Sequence, residues 1–145
     1  MGPDKVADLL KDEYVMLQNL YADMDTKGLT IKNWAITVTI AIIGASLVEG
    51  EKNLLWLAVG ASVIFWYLEG YWRGLSHFFA VRIKEIETAL NSGTWENEIP
   101  LQVYTSWEKE FSKKKDQTFK YMFKRAALLP HIFIPFFVVA LYCLL

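Results

Sequence analysis

Apolar positions in this chain do not alternate with polar ones. They gather into three runs without a charged side chain, at 33–48, 53–68 and 126–145. At ~1.5 Å rise per residue, the first two runs span roughly 24 Å as helices and the third ~30 Å, the thickness of a bilayer's hydrocarbon core. The first run extends back through Leu29, Thr30 and Ile31 if the Lys32 ammonium reaches the headgroups, and the second continues past Glu69 through Gly70, Tyr71 and Trp72. None of the runs shows a polar face. A helix that is apolar all round needs lipid or a large protein around it, and a chain of 145 residues is too small to bury three of them. The pattern therefore predicts an all-α membrane protein with three transmembrane helices.

The segments between the runs read as helix too. Leu10, Tyr14, Leu17, Tyr21 and Met24 recur at heptad-like spacing over 6–24. Asp25, Thr26, Lys27 and Gly28 interrupt that seam, with Gly28 suited to a helix end or hinge. Beyond the second run, Leu75, Phe79, Arg82 or Ile83, Ile86 and Leu90 keep one face largely apolar until the turn signal Asn91-Ser92-Gly93, so a single helix should run from about 54 to 90. A turn near Gly50 and Glu51 makes the first two spans an antiparallel hairpin in which paired positions sum to about 101. The N-terminal seam then packs on the extended second helix as a cytoplasmic stalk, unless the same seams pair between subunits. Residues 94–107 read as an irregular or short-helix connection and 109–125 as a basic amphipathic helix, with Pro130 and Pro135 breaking or kinking the start of the third span. The expected divisions are a cytoplasmic amphipathic helix at 1–28, a transmembrane hairpin at 29–72, a cytoplasmic helical region at 73–125 and a third transmembrane helix at 126–145.

Charge sets the orientation. The net charge of −1 carries no polybasic or polyacidic signal for nucleic acid, but the basic residues are unevenly placed: four in 1–32, one in the 49–52 turn, ten in 73–125 and none after. The positive-inside rule puts the N-terminus and 73–125 in the cytoplasm and the C-terminus outside. Trp34, Tyr71 and Trp72 then fall at the inner interface, and Trp56 and Tyr142 near the outer one. Asp4, Asp8, Asp12 and Glu13 stand where a cleaved signal would place basic residues, so the first span is expected to act as an uncleaved anchor. One cysteine excludes an internal disulfide and a cysteine metal cluster.

An ionisable residue inside a span is a functional candidate, and Glu69 is the sharpest one here. The hairpin arithmetic pairs it with Lys32, Arg73 lies one turn on, and His131 falls at comparable depth in the third run. Glu69, Lys32, Arg73 and His131 are therefore expected to form an inner-leaflet polar cluster, either fixing helix depth at the interface or serving as a proton or ion site. Small residues four apart, Ala41 with Ala45, Ala58 with Ser62 and Gly70 with Gly74, allow close helix approach within the hairpin or between subunits. Lys113, Lys114, Lys115, Lys120, Lys124 and Arg125 are candidates for anionic lipid headgroups. No metal-ligand spacing, nucleophile motif or phosphate loop is present, so neither cofactor nor metal is implied.

The segments Gly28-Leu29-Thr30-Ile31-Lys32-Asn33-Trp34 and Phe65-Trp66-Tyr67-Leu68-Glu69-Gly70-Tyr71-Trp72 resemble a group of small, uncharacterised bacterial inner-membrane proteins. The resemblance implies that setting and carries no activity. Three functions fit the pattern. The first is a non-enzymatic, homo-oligomeric inner-membrane anchor or signal-responsive element whose stalk docks a cytoplasmic protein. The second is a minimal pore or ion-permeating effector. The third is a proton-coupled transporter using Glu69 and His131.

Overall fold

The structure is a computed structural model describing residues 2–113 and 117–144, and no strand occurs among the described residues. Its helices are α1 (Pro3–Glu49), α2 (Leu54–Ser92), α3 (Val103–Lys113), α4 (Thr118–Met122) and α5 (Arg125–Leu144), with a 3-10 turn at Trp95–Asn97. Three of them, α1, α2 and α5, are long and apolar enough to cross a membrane, their best windows reaching mean hydropathies of 1.6, 1.4 and 2.2. The chain divides into two compact units: Met1–Asp25 with Gly74–Asp116, and Thr26–Arg73 with Gln117–Leu145. This division groups α4 and residues 123–125 with the apolar runs.

Local chemistry sets the helix ends. Gly50 takes φ +71° after α1, and the Ser46 hydroxyl donates to the Glu51 carbonyl at 2.9 Å, which ties the turn back onto the helix. At the end of α2, Gly93 has φ +70°; its N–H reaches the Leu90 carbonyl at 3.3 Å, and the Thr94 N–H reaches that of Ala89 at 3.0 Å. This pair of bonds is a Schellman cap, and it needs the left-handed residue that glycine supplies without strain. The helix thus stops at the Asn91-Ser92-Gly93 signal.

In the first unit, Val6, Leu10 and Leu17 of α1 pack on Ile83 and Ile86 of α2, flanked by Tyr14, Phe79, Trp95 and Val103. Burying a side chain such as Leu17 or Ile86 contributes about 1.5–3 kcal/mol. Tyr21 and Leu90, expected in the seam and the stripe, are 40% and 51% exposed. Trp107 stacks on Phe111 at 4.9 Å, and Phe78 of α2 meets both rings edge-on, which holds α3. In the second unit, Leu55 and Ala58 of α2 meet Val138 of α5, with Ile42, Ile43, Val59, Ile134 and Leu141 around them. The Trp56 and Tyr142 rings lie 5.9 Å apart in this unit.

Four local expectations are corrected. Helix α1 runs through Asp25–Gly28 without a stop, because an unstrained Gly costs a helix only ~1 kcal/mol and its neighbours carry the ladder on. The basic helix expected at 109–125 is instead α3, α4 and a break at Phe123 and Lys124. The Trp66 indole N–H occupies the Met122 carbonyl at 2.8 Å, and the Lys124 carbonyl begins α5 by accepting from Leu128 at 2.9 Å. Helix α5 is continuous through Pro130 and Pro135, so neither proline breaks it. Finally, Gly70 makes its close approach to α4: a Cβ there would stand 2.3 Å from Met122 Cγ and 3.0 Å from the Thr118 carbonyl oxygen. Gly74 is buried, whereas Ala41 and Ala45 are exposed.

Two glycines should therefore respond oppositely to alanine. At Gly28 a Cβ would meet Arg73 side-chain atoms at 3.6 Å or more, an ordinary contact. Gly28→Ala should raise stability by up to ~1 kcal/mol through helix propensity. Gly70→Ala should lower it by about 1–3 kcal/mol through overpacking, both read from thermal unfolding in detergent.

Candidate functional site: a buried carboxylate cluster

In the second unit, the Glu69 side chain is fully buried, and groups from three helices converge on it. Lys32 of α1 places Nζ 3.2 Å from Oε1. Arg73, one turn along α2, donates from Nε to the same oxygen at 2.8 Å. His131 of α5 sits with Nε2 3.3 Å from Oε2. The structure thus brings all four expected residues together.

Three further contacts escaped the sequence reading. Ser62, one side of the small-residue step with Ala58, places Oγ 3.3 Å from His131 Nδ1. The Trp66 ring lies parallel to the imidazole at 6.3 Å. Lys32 Nζ also donates to the Ala126 carbonyl. The reason is local: the N–H that would bond the Ala126 carbonyl within the helix belongs to residue 130, and proline has none. Pro130 therefore opens an acceptor that Lys32 fills, a signal that could have been found by counting four residues back from each proline.

His131 stands between two partners, with Nε2 3.3 Å from Glu69 Oε2 and Nδ1 3.3 Å from Ser62 Oγ. The contacts make a chain Ser62–His131–Glu69, with Lys32 and Arg73 supplying the charge that makes a buried carboxylate tolerable.

The first unit holds a second buried pair that the pattern of apolar positions hides. Arg82, placed by the sequence only as a position on the apolar stripe, donates from Nε to Glu13 Oε1 at 3.0 Å and from Nη2 to Glu13 Oε2 at 3.4 Å. Its other donors reach Glu85 at 3.3 Å, Glu98 at 3.2 Å and the Ile99 carbonyl at 3.0 Å. Burial works against the guanidinium charge, but the hydrogen bonds and charge of Glu13, then Glu98 and Glu85, outweigh it and raise its pKa above the ordinary value. Glu13 in turn accepts the N–H groups of Leu101 at 2.7 Å and Gln102 at 3.1 Å, at the N-terminal end of α3, where a negative charge is favoured. Leu101 is held at φ +63°, a left-handed conformation that costs a non-glycine residue about 1–3 kcal/mol.

Among the candidate headgroup residues, Lys113, Lys120, Lys124 and Arg125 are exposed, while Lys114 and Lys115 lie outside the described residues. Lys113 pairs with Glu110 at 3.1 Å, and Lys124 Nζ sits 3.8 Å above the Tyr121 ring. No group of three or more metal-binding side chains occurs among the described residues. Comparison of the chain with protein-family models, with curated proteins and with solved structures found no match.

Removing the carboxylate charge should be costly, because two cations are left facing a neutral amide. Glu69→Gln is expected to lower stability by about 3 kcal/mol, toward the lower end for broken buried pairs, since Lys32 and Arg73 keep some solvent contact. Denaturant titration in detergent reads this directly. In the first unit, Arg82→Lys should fail to restore stability, because a single ammonium cannot span both Glu13 oxygens and the Ile99 carbonyl. A wild-type unfolding midpoint for that variant would contradict the bidentate assignment.

Proposed function

We propose that this is a non-enzymatic, oligomeric protein of the bacterial inner membrane, with three spans forming an anchor or signal-responsive element and cytoplasmic segments that dock a protein partner. The observation that carries the reading is the closure of the Glu69 cluster. Ser62, Glu69 and His131 are each no more than 2% exposed, and the carboxylate is met from α1, α2 and α5. Groups so placed cross-brace three apolar helices. A conduit would line water with them instead.

Other features support parts of the proposal. Large apolar side chains face outward along all three long helices, among them Trp34, Ile40, Leu57, Ile64, Phe133 and Phe136, and a surface of that kind suits lipid. The basic residues of 73–125 favour a cytoplasmic side for that segment, with the C-terminus outside. Exposed Phe119 and Phe123 alternate with Lys120, Lys124 and Arg125, a composition that suits an anionic headgroup layer at about 1 kcal/mol per well-placed charge. Docking of a partner is supported by Ile99, Leu101 and Tyr104, three exposed apolar side chains on the segment that Glu13 and Arg82 pin. The bacterial setting rests on the resemblance carried by 28–34 and 65–72.

A proton-coupled role is the second reading, favoured by the hydrogen-bonded chain Ser62–His131–Glu69. Reconstitution into liposomes with an internal pH dye and an imposed ion gradient separates the two, and disposes of a pore as well. The proposal expects proton and ion flux no greater than in empty vesicles. Proton flux that disappears in Glu69→Gln would install the transporter reading in its place.

A further inference from the structure

A pocket of about 360 Å³ opens in the first unit, between α1 and α2. Ala7, Leu10 and Tyr14 share one face of α1, at i, i+3 and i+7, and Glu87 and Asn91 stand one turn apart on α2. The Tyr14 hydroxyl donates to Glu87 Oε1 at 2.8 Å and ties the two helices there, while Ala7 lies about 10 Å back along α1 by helical rise. Leu10, 1% exposed, is the floor. The Gly93 cap turns the chain after α2, and the half-buried Trp95 ring packs against the Leu10 cluster as a further wall.

The charges at this pocket are its unusual feature. Lys11 and Glu87 both line it, yet no ion pair joins them. Oppositely charged side chains on these two helices pair where they can reach each other, as Arg82 and Glu13 do in the same unit. Among the described residues Lys11 has no ion pair or hydrogen bond, Glu87 has only the Tyr14 hydroxyl on one oxygen, and the Asn91 amide has no partner. One pocket thus presents a cation, an anion and an amide with capacity to spare, over an apolar floor and an aromatic wall. A hydrocarbon would answer only the floor. A simple amine would leave Lys11 unmatched, and a simple carboxylate would leave Glu87 unmatched.

We infer that this pocket binds a free α-amino acid with a large apolar or aromatic side chain. Its carboxylate pairs with the Lys11 ammonium, its ammonium with the Glu87 carboxylate, and its side chain lies against Leu10, Leu90 and Trp95. The Asn91 amide holds both a donor and an acceptor, so it serves either end of a zwitterion. The Trp95 ring offers a face or an edge to an aromatic side chain. The volume lies at the lower end for small-molecule sites, ~300–1,000 Å³, and suits one amino acid better than a longer peptide. No bond is made or broken; it is a binding site. The inference goes beyond the anchor reading and stands apart from it, because the pocket belongs to the first unit alone. It would give a signal-responsive element its signal.

The full chain in detergent micelles tests this by isothermal titration calorimetry, with empty micelles as the blank and three probes of one ring system. L-Tryptophan carries both charges, tryptamine only the ammonium and indole-3-propionate only the carboxylate. The expected result is saturable binding of L-tryptophan at one site per chain, with each singly charged probe about fivefold weaker, the upper end for a partly exposed ion pair. Glu87→Gln keeps an acceptor for Tyr14 and should weaken L-tryptophan and tryptamine about fivefold while sparing indole-3-propionate. Lys11→Gln should do the reverse, weakening L-tryptophan and indole-3-propionate while sparing tryptamine. Ala7→Phe, which fills the pocket, should abolish binding of all three. Equal affinity of the wild-type chain for the three probes, heats no larger than those of empty micelles, or charge variants that weaken every probe alike would overturn the proposal. So would L-tryptophan binding that survives Ala7→Phe. Liposome flux bears on the membrane reading and leaves this result untouched, so the two fail separately.

Discussion

A carboxylate with no exposure to solvent is not tolerated unless charge and hydrogen bonds replace the water it has lost, and Glu69 is in that position. The requirement constrains the whole second unit. Lys32 must come within reach from α1, which sets the pairing of the hairpin at a sum of 101, as turn position alone suggests. His131 must come from α5, which sets the rotation of that helix and leaves Ser62 to face its other nitrogen. A slip of one residue along any helix turns its side chains by about 100° and removes a partner. Lys32 adds a second tie, because the carbonyl that Pro130 leaves open is beside the same ammonium. Trp66 then stacks on His131 and holds the Met122 carbonyl, and Gly70 gives α4 room to approach.

The first unit repeats the principle with the roles exchanged. There the acid, Glu13, lies on α1 and the base, Arg82, on α2, so each unit carries a buried ion pair across the same two helices. Apolar seams such as Leu10, Leu17, Ile83 and Ile86 supply most of the burial but distinguish poorly between neighbouring registers. Charged pairs distinguish sharply, because a misplaced one leaves an unpaired charge. Glu13 also holds the start of α3, so one carboxylate organises the helix pair and the connection that crosses it.

What was legible in the sequence follows the range of the interactions. The three apolar helices, the turn at Gly50 and the stop at Gly93 depend on periodicity and on neighbours in the chain. The Glu69 cluster was readable because hairpin geometry converts sequence position into spatial pairing. The break before α5 was not, since it rests on Trp66 reaching a carbonyl 56 residues away. Arg82 and Glu13 were hidden for another reason: a charged residue on an amphipathic helix is usually solvated, and here their mutual pairing together with the partners from 98–102 makes burial tolerable. The prolines misled because the rule that proline ends a helix assumes water. Within an apolar unit, another helix can supply the missing donor, as Lys32 does for Pro130.

The Ser62–His131–Glu69 chain has the composition of a hydrolytic triad, and its surroundings explain why we read it as structural. A nucleophilic serine must meet a carbonyl carbon, with donors waiting where an oxyanion will form. Ser62 is 1% exposed, and the imidazole has the Trp66 ring parallel to it. The acid in a triad orients the base and leaves it free to take a proton. Glu69 instead answers two cations as well as the imidazole, which ties its charge to helix packing.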